Sequence, residues 1–340
     1  MMIEIWKVDE CSSRILWYIF RKKKRKTSSD PAKKKMNKSK LELWKGEPQK
    51  GLRMLKTYRR PIVKRSLPYS LGKANRKFEI PSDLANRLAS ALATELLGLD
   101  VVSRGPRLSL ENYRITDEMK DSISPGNIHK KIIKCETFLR LYGKLIEEHV
   151  APLIAAAFER EKSPRERYEK DTEYTILYQY PPTVRIYCSH LPALRVCPKD
   201  SSSASSVLSQ SKYRSLGRFH CDAMYGHQDG EVNFWMPLTR VHETNTLWAE
   251  SEPGKSDWYS FSPMQVGEIW HFPGSTCRHY TKPNVSGWTR VSIDFRCSTV
   301  DCYDKTWTLP GMSNRLRRRH EMMELTIRID SNNENTPPWY

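Results

Sequence analysis

Between residues 80 and 160 the apolar positions fall at helical spacing, and from residue 174 they alternate. Leu84, Leu88, Leu92 and Leu96 recur every four residues, with Pro81-Ser82-Asp83 as a start signal and Gly98 as a stop. This predicts a helix with one buried stripe. A second helical pattern runs from Ile132 to Glu161 through Phe138, Leu139, Leu145, Ile146 and Val150, and Pro152 is expected to kink or divide it. From Tyr174 onward, short β-branched and aromatic runs are separated by Pro, Gly, Ser and Asn clusters. The expected strands are Tyr174–Tyr180, Val184–Cys188, Leu194–Cys197, Gly217–Asp222, Val232–Leu238, Thr244–Glu250, Trp258–Phe261, Glu268–Phe272 and Thr289–Cys297. So many short strands imply a barrel or sandwich, and helices gathered ahead of them imply an α+β layout with the helices over one outer face.

Residues 1–78 have no sustained periodicity and are expected to form a basic, mostly disordered extension. The organisation that follows is a helical support region at 79–173, a β core at 174–310 and a C-terminal tail at 311–340. Residues 201–215 contain eight serines and predict a flexible insertion between two strands.

The charge changes this picture only at the N-terminal end. The 340 residues carry 57 Lys+Arg against 39 Asp+Glu, a formal +18. Residues 1–80 hold 24 basic and 7 acidic side chains, leaving 33 and 32 for the rest. The basicity belongs to an arm, and the body is nearly neutral. Arg21-Lys22-Lys23-Lys24-Arg25-Lys26 fits a nuclear localisation signal or a contact to nucleic acid or another polyanion; a solvated tail is the equal alternative. No apolar run approaches the roughly 18 residues of a membrane span. Asp9 and Glu10 precede the short apolar stretch Ile15 to Phe20, the wrong order for a secretory signal. The eight cysteines include no Cys-x-x-Cys pair, which argues against a zinc ribbon and a disulfide scaffold. They are read as reduced thiols in an intracellular protein, cytoplasmic or nuclear.

The chemistry concentrates in two places. Arg218-Phe219-His220-Cys221-Asp222 closes an expected strand, and side chains two apart on a strand share a face, so His220 and Asp222 can converge on one ion. Read alone, an ordinary surface His–Asp pair is the better account. The second place is Cys277-Arg278-His279-Tyr280-Thr281-Lys282-Pro283-Asn284, followed by the strand Thr289 to Arg296. That strand puts Val291, Ile293 and Phe295 on an apolar face and Arg290, Ser292, Asp294 and Arg296 on a polar one. Two imidazoles and a carboxylate with three positions left open form the facial triad of non-haem Fe(II) oxygenases. His227 and His271 are competing candidates. His227 sits in a Gly-bounded turn near the first pair. Asn233 and Trp235 share a strand face and are expected either to line a cavity or to pack there with the amide satisfied.

The set His220-x-Asp222, His279 and Arg290-x-Ser292 resembles the Fe(II)/2-oxoglutarate-dependent dioxygenase superfamily. The spacing, together with Asn233-Phe234-Trp235-Met236-Pro237-Leu238-Thr239 and Asn245-Thr246-Leu247-Trp248-Ala249-Glu250-Ser251, looks like its phytanoyl-CoA dioxygenase and StrG-like branch. The resemblance covers about residues 174–300. It implies a double-stranded β-helix, jelly-roll or cupin-like, with helices packed on one sheet. It implies Fe(II) on His220, Asp222 and His279, with Arg290 pairing the distal carboxylate of 2-oxoglutarate and Ser292 donating a hydrogen bond to it. The preference for His279 over His271 is implied by the same resemblance, because His279 lies eleven residues before Arg290 and His271 nineteen. The implied reaction uses O2, releases succinate and CO2, and hydroxylates a substrate, expected to be a small molecule.

Two rival readings stay open. Arg290 and Arg296 have five residues between them, as in AlkB-type nucleic-acid demethylases, and the basic arm would suit such a substrate. The other is a non-enzymatic β-helix binding protein whose arm docks on a polyanion.

Overall fold

The computed structural model describes residues 61–102, 105–114, 125–163, 172–189, 219–307 and 322–329. The elements are α1 (Tyr69–Gly72), β1 (Arg76–Glu79), α2 (Ser82–Ala91), α3 (Gly105–Glu111), α4 (Pro125–Ile132), α5 (Glu136–Leu145) and α6 (Ala151–Glu161). There follow β2 (Thr172–Gln179), β3 (Thr183–Tyr187), β4 (Val232–Pro237), β5 (Trp248–Ala249), β6 (Tyr259–Ser260), β7 (Glu268–Phe272), β8 (His279–Tyr280), β9 (Arg290–Thr299) and β10 (Met322–Ile329).

The strands form a seven-stranded antiparallel sheet and a three-stranded sheet. The large sheet runs β1-β7-β4-β9-β2-β10, with β3 also on β9; the small one runs β6-β5-β8. β2 and β3 lie one after the other along the same edge of β9, Tyr178 opposite Cys297 and Thr183 opposite Asp294. Pro181 and Pro182 between them cannot donate to the ladder, which explains the break.

The alternation expected in β9 sorts its two faces. Val291, Ile293, Phe295 and Cys297 join Val232, Phe234 and Met236 of β4 in a core shared with the helices. Phe234 stacks on Phe295 at 5.2 Å, and Tyr142 of α5 meets Phe295 edge-on at 5.3 Å while its hydroxyl donates to the Gln179 carbonyl at 2.7 Å. The four-residue stripe Leu84, Leu88, Leu92, Leu96 is buried in the same core. A second core, between the sheets, gathers Trp235, Val241, Leu247, Ala249, Phe261, Met264 and Phe272. Burying one face of β9 under helices leaves its polar face directed at this inner space.

Several expectations change. A π turn, Ile146–Val150, joins α5 to α6 just ahead of Pro152, and another, Leu92–Leu96, extends α2. The widened turn before Pro152 accommodates a ring that an α-helical interior would reject, and it divides the helical stretch into α5 and α6, as expected from Pro152. Structure begins before Ile80. The Ile62 amide donates to Asp304 Oδ2 at 2.8 Å, those of Lys64 and Arg65 to the Asp301 carbonyl, and Leu71 and Phe78 are buried. β1 escaped the pattern because a single apolar residue, Phe78, stands between charges on a short edge strand. Residues 322–329, assigned to a tail, form β10, which pairs with β2 from Met322–Gln179 to Ile329–Thr172; the alternation of Leu325, Ile327 and Ile329 was the available signal. Thr244–Glu250 and Trp258–Phe261 shrink to β5 and β6, since side-chain-held turns such as His242 N–H to Asn245 Oδ1 at 2.8 Å take up the flanking residues. Leu194–Cys197, the Ser-rich stretch 201–215 and the run Arg21 to Lys26 lie outside the described residues. No helix among the described residues is long and apolar enough to cross a membrane.

Candidate metal centre

His220 and His279 are brought together by their backbones. The His220 N–H donates to the His279 carbonyl at 3.1 Å, and the His279 N–H to the His220 carbonyl at 2.8 Å. The imidazole centroids are 4.5 Å apart. Asp222 does not continue a strand as expected. It heads a 3₁₀ turn, Asp222–Tyr225, because its amide is captured by the Gly274 carbonyl at 2.7 Å and the chain turns back at Gly226, whose φ of 87° suits glycine. The result still brings its carboxylate to the imidazoles: Oδ1 lies 3.6 Å from His279 Nε2 and 3.9 Å from His220 Nε2. One ligand atom from each of the three residues lies within 4.8 Å of the others.

His279 and Asp222 are buried and His220 is half-buried, so the cluster has one side toward the surface. His279 Nδ1 lies 3.1 Å from the Cys277 carbonyl. A carbonyl can only accept, so Nδ1 carries the proton there, and Nε2 is the nitrogen left facing the cluster. The other oxygen of Asp222, Oδ2, accepts from Arg296 Nη2 at 2.7 Å and Nε at 3.2 Å, and from the amide of Asn233. Burial alone would raise the Asp222 pKa; the Arg296 guanidinium, helped by His279, more than reverses this and holds the carboxyl well below the usual range. Asp222 is therefore an anion at neutral pH, as a metal ligand must be.

Arg290 and Ser292 lie on the inner face of β9. Arg290 is fully buried, donates from Nη1 to the Asn245 carbonyl at 2.9 Å, and lies over the rings of Tyr187 at 4.5 Å and Trp235 at 5.2 Å. Ser292 Oγ is buried without a hydrogen-bond partner among the described residues. A rigidly held guanidinium with a hydroxyl two residues along the same face is a ready cradle for a carboxylate.

The competing histidines are not part of the cluster. His227 Nδ1 is 2.6 Å from Glu231 Oε2, and its own amide donates to the Asp222 carbonyl, so its ring is committed to Glu231. His271 points into the helix-side core against Phe78 and Phe234, where burial lowers its pKa to about 3. Arg185 pairs with Asp294 across β3 and β9. Cys221 is buried and its thiol is pushed up to about 12, chiefly by burial. The roles of Arg296 and Asn233 toward Asp222 were not anticipated, although Arg296 stands on the face of β9 read as polar and Asn233 on a face expected to line a cavity or to pack with its amide satisfied.

No family model matches the chain. Among curated proteins, the streptomycin biosynthesis protein StrG of Streptomyces griseus is 31% identical over 119 residues, which are 35% of this chain and 50% of that protein. The chain thus spans about half the length of the curated relative it matches. Among solved structures, a non-heme monooxygenase in its ThoJ–Ni complex aligns over 68% of this chain and 75% of its own, with 13% identity and a TM-score of 0.32.

Proposed function

We propose that the chain is an Fe(II)- and 2-oxoglutarate-dependent dioxygenase on a double-stranded β-helix, hydroxylating a substrate with release of succinate and CO2. The observation that carries this reading is the convergence of His220, Asp222 and His279, from two places far apart in the sequence, on one point of the fold. The similarity to StrG supports it.

The donor set suits the ion. Two imidazoles and one carboxylate on a single face match the ligands of mononuclear Fe(II) that keep three positions open. His279 has its tautomer fixed for ligation through Nε2, and Asp222 offers Oδ1 already deprotonated. Arg290 and Ser292 suit the co-substrate. The cation would neutralise its distal carboxylate, and the buried hydroxyl of Ser292 would find its missing partner there.

When bound, iron and 2-oxoglutarate together supply the activation of O2 that hydroxylation of a C–H bond requires. The chain's own residues bind, aim and seal. His220, Asp222 and His279 hold the metal; Arg290 and Ser292 fix the far end of the co-substrate and so its orientation. Phe272, with its ring 5.2 Å from His279, and the cluster of Trp235, Phe261 and Trp270 give the site an apolar flank that would help to exclude water during reaction.

Protein reconstituted anaerobically with Fe(II), then given 2-oxoglutarate and O2, tests the reading. Slow succinate release is expected even without the substrate, and its loss is expected in His279→Ala. A folded wild-type protein that binds no iron and forms no succinate would favour the polyanion-binding module instead.

A further inference from the structure

We propose, resting on the metal centre above, that Asn233 and Arg296 are positioning residues that restrict Asp222 to ligation through Oδ1, and that Gly274 is glycine to admit the Asn233 amide. A carboxylate can chelate an ion through both oxygens or bind through one. Chelation would take a fourth position from the three that a two-point co-substrate and O2 need. Here the two oxygens are treated differently. Oδ1 faces both imidazole Nε2 atoms, at 3.6 and 3.9 Å, while Oδ2 is saturated by the Arg296 fork and the Asn233 amide. Turning the carboxylate to offer both oxygens would break charge-assisted hydrogen bonds in a buried place.

The clamp is itself held from three sides. Arg296 Nη1 also donates to Gln179 Oε1 at 3.3 Å, and Gln179 Nε2 to Thr183 Oγ1 at 3.1 Å, which ties the guanidinium to β2 and β3. Asn233 sits on β4 opposite Arg296 of β9 and Phe272 of β7. Gly274, just beyond β7, receives the Asp222 amide on its carbonyl at 2.7 Å. A Cβ at Gly274 would fall 2.5 Å from Asn233 Nδ2 and 2.6 Å from its Cγ. One residue therefore places the Asp222 backbone and leaves the gap through which Asn233 reaches its side chain.

The test is a Co(II) titration of metal-stripped full-length protein, reading affinity and the visible absorption bands that report coordination number. Asn233→Ala and Gly274→Ala are each expected to weaken Co(II) binding about tenfold or more and to alter the bands, in the range known for outer-shell partners. In the double variant, Gly274→Ala should add nothing to Asn233→Ala, because the amide it would collide with is gone. Arg296→Lys, which keeps the charge and loses the fork, should shift the bands in the same direction; if it does not fold, the Asn233/Gly274 cycle decides. Gly274→Ala acting equally in both backgrounds, or Asn233→Ala with the wild-type affinity and bands, overturns the clamp alone. Wild-type protein that binds no Co(II) overturns the metal centre as well.

Discussion

His220 and His279 exchange hydrogen bonds between their backbone N–H and C=O groups, at 3.1 and 2.8 Å, so the main chain itself sets the two imidazoles side by side. Removing either ring leaves both hydrogen bonds in place. His279→Ala is therefore expected to keep a cooperative unfolding transition while its Fe(II) affinity falls at least about a hundredfold, more than an outer-shell change costs. Urea unfolding beside metal titration checks both halves.

Arg290 should act on the co-substrate and not on the metal. In Arg290→Gln the buried cation is lost while the triad, which Arg290 does not contact, keeps its own partners. Affinity for 2-oxoglutarate is expected to drop at least about tenfold, with Fe(II) affinity within about twofold of wild type. Calorimetric titration of each ligand separates the two, and equal losses would contradict the assignment.

His271 should make the fold sensitive to acid. Its pKa falls from the ordinary value near 6.5 to about 3 because burial among Phe78 and Phe234 disfavours the charged ring. Below pH 6.5 the unfolded chain takes up this proton and the folded one does not, so stability is full above that pH and is lost as pH falls toward 3. Between pH 7 and pH 5 this single residue should cost about 2 kcal/mol. Chemical denaturation at the two pH values should show that difference reduced by the same amount in His271→Phe.

The contribution of the N-terminal residues to stability and to polyanion binding is measurable. Deleting residues 1–60 should leave stability and metal affinity unchanged while removing salt-dependent binding to polyanions, since 19 of the chain's 57 Lys+Arg lie there. Deleting 1–78 also takes the buried Leu71 and Phe78 and most of β1, and should destabilise the protein by at least about 3 kcal/mol. Thermal unfolding and filter binding across a salt series distinguish the two truncations.

Much of this was legible along the chain. The alternation of Val291, Ile293 and Phe295 against Arg290, Ser292, Asp294 and Arg296 is a period-two signal strong enough to assign both faces of β9. The His-x-Asp spacing and the later histidine marked the residues that the fold brings together. What could not be read depends on contacts between distant segments. Asp222 leaves strand geometry because Gly274, 52 positions away, captures its amide. Asn233 and Arg296 meet Asp222 only because β4 and β9 pair in one particular register. β1 is too short and too charged to announce itself, and finds its place through pairing with β7.

The most direct measurement is the number of Fe(II) ions bound per chain by anaerobic equilibrium dialysis, for wild type and for Asp222→Ala. One ion for the former and none for the latter is the expected result. A correctly folded wild-type protein that retains no iron, or an Asp222→Ala protein that retains it as tightly, would contradict the metal centre and the oxygenase chemistry built on it.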